Sequence, residues 1–263
     1  MLLAIDVGDT NLVCGLYEGR ELKQFWRLET NQGKSADEYG IALKQMFVTD
    51  GYGFDSVDSI VISNVVPSMT FMLQHLCEKY FNKEPLILEP GVKTGLIVKY
   101  DNPKSLGSDR IANAVAAYAN YPAPLMVIDF DTATTFCAVT DKAEYIGGAI
   151  APGIKISSEA LFKSTSKLPR IELEVPKHVI CRNAAECMQS GVLYGHIGMV
   201  EYLVKRMKEE IAEECGFEPG SKKITVIATG GLASSVVPLC RREIILDDGL
   251  LLKGLMIIYR RNN

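Results

Sequence analysis

Two short segments of this chain obey the same rule, and that rule limits what the chain can fold into. Ile5-Asp6-Val7 and Ile128-Asp129-Phe130 each close an apolar, strand-like run on one carboxylate. Each then turns through small or hydroxylated residues into a hairpin. A carboxylate at the end of a buried strand is costly unless it is paired or put to use. Its recurrence at the same step of the same strand-turn-strand-strand order predicts a duplicated α/β chain with two lobes. The two turns are expected to hold a nucleotide's phosphates between them.

The pattern along the chain fits that plan. Leu2–Asp6, Leu12–Tyr17 and Leu22–Glu29 read as strands, and Ser35-Ala-Asp-Glu38 is a capping box that opens a helix. Val57–Ser63 reads as a strand, Ser68–Phe81 as a helix, Pro85–Leu88 as a strand and Ser105–Asn120 as a helix. Tyr121-Pro-Ala-Pro124 is the expected joint, which gives an N-terminal lobe of residues 1–121 and a C-terminal lobe of residues 122–263. Beyond it, Leu125–Phe130, Thr135–Thr140 and Glu144–Ile150 repeat the three-strand opening. A helix to about Lys163, an irregular stretch to Val179, a long helix over Ala184–Glu214, a strand over Lys223–Thr229 and helices from Leu232 and Leu250 complete the chain. Alternating strands and helices imply mixed sheets with flanking helices.

Composition excludes several function classes. The net charge is −4, so a nucleic-acid partner, which needs a basic stripe, is not expected. The seven cysteines form no CxxC pair and only three histidines are present, which argues against a zinc centre or a disulfide framework. The N-terminus meets Asp6 at once and has no basic leader, and Lys253 interrupts the longest apolar run, Gly249–Tyr259. No membrane association is expected, and reduced thiols fit the cytoplasm. The P-loop, the dinucleotide-binding GxGxxG, HExxH and GxSxG are all missing.

The residues able to carry chemistry lie in three places. In Asp6-Val7-Gly8-Asp9-Thr10-Asn11, a strand-end acid can hold Mg2+ through water, Gly8 lets backbone approach a phosphate, and Thr10 and Asn11 offer hydrogen bonds. An ordinary Asp/Gly hairpin turn would look the same. In Asp129-Phe130-Asp131-Thr132, hydroxyls beside a carboxylate suit a phosphate or a cation, although a threonine-rich strand is the plainer reading. Gly107-Ser108-Asp109-Arg110 starts a helix, where backbone N–H groups favour anions. Asp109 can take a proton from a hydroxyl nucleophile, and Arg110 can bind a carboxylate or a phosphoryl group. A first-turn acid beside a salt-bridge partner is the alternative there.

Taken together these pieces resemble a known family. The Asp6-x-Gly8-x-Thr10 opening, Gly107-x-Asp109-Arg110, the Asp129-to-Thr135 turn, Gly147-Gly148 to Pro152-Gly153 and Ala228-Thr-Gly-Gly231 occur in the order and spacing of the type III pantothenate kinases. The resemblance spans essentially the whole chain. It implies a duplicated actin-like (ribonuclease H-like) fold, a homodimer, and ATP-dependent phosphorylation of pantothenate, the first step of coenzyme A synthesis. By the same resemblance Asp6 lies by the phosphates and Mg2+, and the segment through Val7, Gly8, Asp9, Thr10, Asn11, Leu12 and Val13 binds ATP together with Thr132. Asp109 is the implied proton acceptor. Tyr100, Gly107, Ser108, Asp109, Arg110 and Ala184 are the implied pantothenate contacts, and Asp129 the implied ligand of K+ or NH4+.

The chain departs from the family pattern at Asp9, where Asn is usual, at Asp131, where Gly is usual, and at Ala184, where a substrate-contacting Thr is usual. A side chain at Asp131 would be strained if the backbone there had positive φ. Its charge, about 4 Å from a phosphate, would cost about 4 kcal/mol at an effective dielectric near 20. These changes motivate a competing expectation, a catalytically weakened relative that serves as a binding or regulatory protein. Another small-molecule kinase on the same fold is a third.

Overall fold

The computed structural model describes residues 1–263. Its contacts group residues 1–96, 100–119 and 249–263 into one compact unit and residues 97–99 and 120–248 into a second. The chain changes unit at Asn120, beside the expected joint. It also returns, because Gly249–Asn263 belongs with the first unit rather than with the C-terminal lobe.

The first unit is built on β1 (Leu2–Val7), β2 (Asn11–Glu18), β3 (Glu21–Glu29), β4 (Ser59–Asn64) and β5 (Leu86–Ile87). Their order is β3-β2-β1-β4-β5, with β1 antiparallel to β2 and parallel to β4. Side chains alternate across a strand, so β1 serves two cores at once. Leu3, Ile5 and Val7 pack with Tyr39, Leu43 and Phe47 of α1 (Ala36–Thr49) and Leu73 and Leu76 of α2 (Thr70–Leu76). Leu2 and Ala4 pack on the other face with Ala112 and Val115 of α3 (Ser108–Asn120). The capping box is present: Ser35 and Glu38 satisfy each other's backbone N–H groups at the start of α1. The helix expected over Ser68–Phe81 is broken into a 3-10 turn, α2 and a π turn.

The second unit repeats this plan. It contains β6 (Ile97–Val98), β7 (Leu125–Phe130), β8 (Ala133–Val139), β9 (Glu144–Pro152), β10 (Thr225–Thr229) and β11 (Ile245–Leu246). Their order is β11-β10-β7-β8-β9-β6. Read from β9 to β11, this is the order of the first sheet, with β6 added at one edge. Met126, Ile128 and Phe130 of β7 pack against Val192, Ile197, Val200 and Val204 of the helix α5 (Ala184–Glu214), with Ile154 of α4 (Ile154–Ser164) and Ala233 of α6 (Ala233–Val236). α5 has the bounds expected from its periodicity, whereas the helix expected from Leu232 lasts only four residues before a 3-10 turn. The strands β6 and β11 have two residues each, too short for any pattern to reveal.

The last helix, α7 (Leu250–Asn262), explains the return of the chain. Its apolar face, Leu252, Leu255, Met256 and Ile258, joins Leu2, Ala4, Tyr17 and Val61 in one buried cluster. A local amphipathic pattern shows that such a face needs a partner, not which sheet supplies it. The contact is close enough that a Cβ on Gly254 would lie 2.0 Å from the Ala112 carbonyl oxygen. We expect Gly254→Val to destabilise the chain by about 2–3 kcal/mol through forced displacement of α7, read as a lower urea midpoint at unchanged m-value.

Candidate active site

The two Asp-bearing turns are structural equivalents. β1 and β7 share one burial pattern in which every residue is buried except the Asp, and Asp6 and Asp129 are both half-buried. In the first hairpin Val7 pairs with Leu12; in the second Phe130 pairs with Thr134, so the second turn is one residue shorter. Backbone bonds show which residue is extra. Thr30 N–H donates to the Thr10 carbonyl at 2.9 Å, and Gly153 N–H donates to the Thr132 carbonyl at 3.2 Å. Gly8 N–H and Asp131 N–H each donate across their own turn, to Asn11 and Ala133. Thr10 therefore corresponds to Thr132 and Gly8 to Asp131, and Asp9 has no counterpart.

That alignment also disposes of the strain expected at Asp131. Neither Asp131 nor Gly8 has positive φ, and a Cβ on Gly8 would meet only Asn11 O, at an ordinary 3.4 Å. Asp131 is exposed, as is Asp9, so water screens both charges. Val7 and Leu12, expected among the ATP contacts, have fully buried side chains in the first core. Only their backbone groups can face a ligand. Thr30, which no local pattern singles out, donates its hydroxyl to the Gly8 carbonyl at 2.7 Å and so fixes the turn twice.

Alternation along β1 puts Asp6 on the face that carries α3. Its partner in the parallel ladder is Ser63, which is fully buried. Ser63 Oγ lies 2.9 Å from Ser108 Oγ, and Asn64 N–H donates to Ser108 Oγ at 3.1 Å. These bonds tie the first turn of α3 to the end of the central strands, so Asp109 starts its helix beside the Asp6 strand end. Asp109 folds back over Gly107, where a Cβ would be 2.3 Å from its Oδ1; only glycine leaves room for the carboxylate. Arg110 is buried, with its guanidinium carbon 5.9 Å from the centre of the Tyr100 ring. Tyr100, Gly107, Ser108, Asp109 and Arg110 thus form one group in the first unit. Ser63 was missed because a serine in an apolar strand reads as a tolerated core residue.

In the second unit Gly230 (φ +97°) presses against Asp129: a Cβ would be 2.4 Å from Asp129 Oδ1 and 2.6 Å from Phe130 O. The result is close packing of Gly230 against the Asp129 carboxylate and the Phe130 backbone at the strand end. Thr132 is half-buried in the turn next to it. Beneath the turn, Thr134 Oγ1 and His196 Nε2 lie 3.1 Å apart, both buried, and burial holds the His196 pKa below its ordinary value. Ala184 is exposed, one residue after Asn183, whose side chain caps α5 by accepting from Glu186 N–H at 2.9 Å.

The buried hydroxyl pair carries the prediction for this site. Ser108→Ala leaves Ser63 without its partner and Asn64 N–H without its acceptor. It should cost about 1–3 kcal/mol, and the Asn64 amide should exchange with deuterium faster than its strand neighbours.

Comparison with known proteins shows the family. The family model described as type III pantothenate kinase matches residues 2–206. A type III pantothenate kinase of Brevibacillus brevis is 50% identical over 262 residues, which cover 100% of this chain and 99% of that protein. A Campylobacter jejuni protein named for the Baf family of transcriptional activators has the same fold, with a TM-score of 0.60 at 19% identity over 99% of this chain and 98% of that one. With the family model covering more than half of the chain and a full-length relative at half identity, the chain belongs to the type III pantothenate kinase family.

Proposed function

We propose that the chain transfers the γ-phosphoryl group of ATP to the primary hydroxyl of pantothenate, and that Asp109 is the group that receives the hydroxyl proton. In that step the hydroxyl oxygen bonds to the γ-phosphorus, the bond from that phosphorus to the ADP oxygen breaks, and the proton passes to the Asp109 carboxylate. The observation that supports it is the Ser63–Ser108 hydrogen bond, which holds Asp109 at the strand end that carries Asp6. A helix N-terminus favours the ionised acid and makes it a weak base. Phosphoryl transfer tolerates this, because positioning and charge stabilisation supply most of the rate. Arg110, Tyr100, Gly107 and Ser108 bind the pantothenate, and the backbone of residues 6–13 takes phosphate oxygens in the first unit. Thr132 offers its hydroxyl to ATP in the second.

The donor set fits Mg2+ that arrives with ATP. No group of three or more His, Cys, Asp or Glu side chains is arranged to hold an ion unaided. Mg2+ characteristically keeps waters and needs one or two carboxylates plus phosphates, which Asp6 can supply. Bound there, it draws charge off the phosphates. K+ or NH4+ would be held by the half-buried Asp129 carboxylate at the strand end, against which Gly230 packs too closely for any side chain to stand between them. Asp9 and Asp131, exposed and at ordinary φ, give no reason to favour a weakened regulatory relative.

The reading includes a homodimer formed through the second unit. Ile180 is 88% exposed, Val179 66% and Tyr202 62%, and Gly191, Gly195 and Gly198 have open space beside α5. Small residues along a helix let a second backbone approach closely, and exposed apolar groups of this size call for a cover. No helix is long and apolar enough to cross a membrane, and an ATP-dependent step of this kind belongs in the cytoplasm.

Purified protein with ATP, Mg2+, K+ and pantothenate should release ADP only when pantothenate is present. Asp109→Asn should lower kcat by about 10²–10⁴-fold with little change in pantothenate affinity; turnover by that variant at the wild-type rate would refute the role of Asp109. In sedimentation, the native chain should run at twice its 28.9 kDa mass, and the paired change Ile180→Asp with Tyr202→Asp should shift it to the monomer.

A further inference from the structure

Away from the Asp129 turn, at the start of β10, the second unit has a cavity of about 430 Å³. Asp129 is in register with Thr229 at the other end of that strand. Thr225 begins it, about 13 Å away at 3.3 Å per residue. The cavity floor is apolar, formed by Ile224, Val226 and Ile245. Its wall carries Lys205 and Lys208 from α5, Lys222 and Lys223 from the segment before β10, and Arg242 from the segment before β11. Five cations thus face one cavity in a chain whose net charge is −4.

Two carboxylates, Glu209 and Glu243, also line the cavity and offset only part of this charge. Glu243 is taken by Lys223 at 2.7 Å, and Glu209 by Arg206 at 3.6 Å from the outer side of α5. Lys205, Lys208, Lys222 and Arg242 have no ion pair; Lys222 lies instead over the Phe217 ring at 5.1 Å. The half-buried Lys208 has a lowered pKa, first through burial, then through the neighbouring charge of Arg242 and Lys223, against the opposing pull of Glu243. The repulsion that Lys208 feels from Arg242 and Lys223 is relieved when a multiply charged anion enters. An apolar floor strengthens the attraction by lowering the local dielectric.

We propose that this cavity is a binding site for a small oligophosphate anion, distinct from the phosphate-binding turns, with Lys208 and Arg242 as its principal ligands. Adjacent phosphates match cations converging from three separate segments, and the planar Arg242 fork suits paired phosphate oxygens. A ligand here would sit at the opposite end of β10 from Thr229 and its register partner Asp129.

The test is calorimetric titration of the full-length protein with inorganic pyrophosphate at low ionic strength, for wild type, for the K208A/R242A variant and for D6N. Wild type should show a saturable event that weakens with added salt. K208A/R242A should weaken that event by about tenfold for each cation removed, with pantothenate-dependent ADP release unchanged, while D6N retains it. Equal pyrophosphate affinity in wild type and K208A/R242A, loss of the event in D6N, or no saturable binding to wild type would each overturn the proposal. The ADP-release assay reports separately on the kinase reading.

Discussion

A strand buried on both faces leaves its last polar side chain little freedom. β1 spends Leu3, Ile5 and Val7 on one core and Leu2 and Ala4 on the other, so Asp6 emerges where the second of these cores ends. The layer that covers that face is α3, and its first turn is bound there by Ser108 to Ser63 and Asn64. An unpaired hydroxyl at that depth would cost about 1–3 kcal/mol, so the pair fixes where the helix begins. The position of Asp109 relative to the β1 strand end follows from packing, and so does that of the buried Arg110 over the Tyr100 ring.

Duplication supplied the same device twice, and the two copies have diverged in their details. Thr30 and Gly153 hold equivalent carbonyls in the two turns, yet Thr30 adds a hydroxyl bond to Gly8 that Gly153 has no side chain to make. The second turn is shorter by the residue that corresponds to Asp9 and is backed by Gly230, which crowds Asp129. The first copy is thereby an open loop with exposed Asp9 and Thr10. The second is a tight turn packed against one carboxylate. Asp at position 131 costs no backbone strain, because the turn holds that residue at ordinary φ.

Much of the site was legible because it rests on local rules. An acid that ends an apolar run, followed by a turn and a hairpin, gave Asp6 and Asp129 with their strands. The capping box gave the start of α1, and the periodicity of residues 184–214 gave α5 to the residue. The parts that were not legible are those in which a side chain's value depends on a distant neighbour. Ser63 and Thr30 read as unremarkable strand and loop residues until Ser108 and Gly8 are found against them. Val7 and Leu12 lie within the proposed nucleotide-binding segment by position, but their side chains are committed to the core. The two-residue strands β6 and β11 have no period to detect, and their partners alone define them.

The sequence by itself determined the duplication, the order of strands and helices within each copy, and which residue types stand at the two turns. These depend on spacing and on the chemistry of neighbours in the chain. Only the tertiary structure decided that α7 closes the first sheet. An amphipathic helix specifies that it must bury a face, and the close approach of Gly254 to Ala112 selects the surface that receives it. Tertiary structure alone also gathered Lys205, Lys208, Lys222, Lys223 and Arg242 around one cavity. Cations scattered over nearly forty residues of sequence have no collective meaning until folding brings their charges within range of one another.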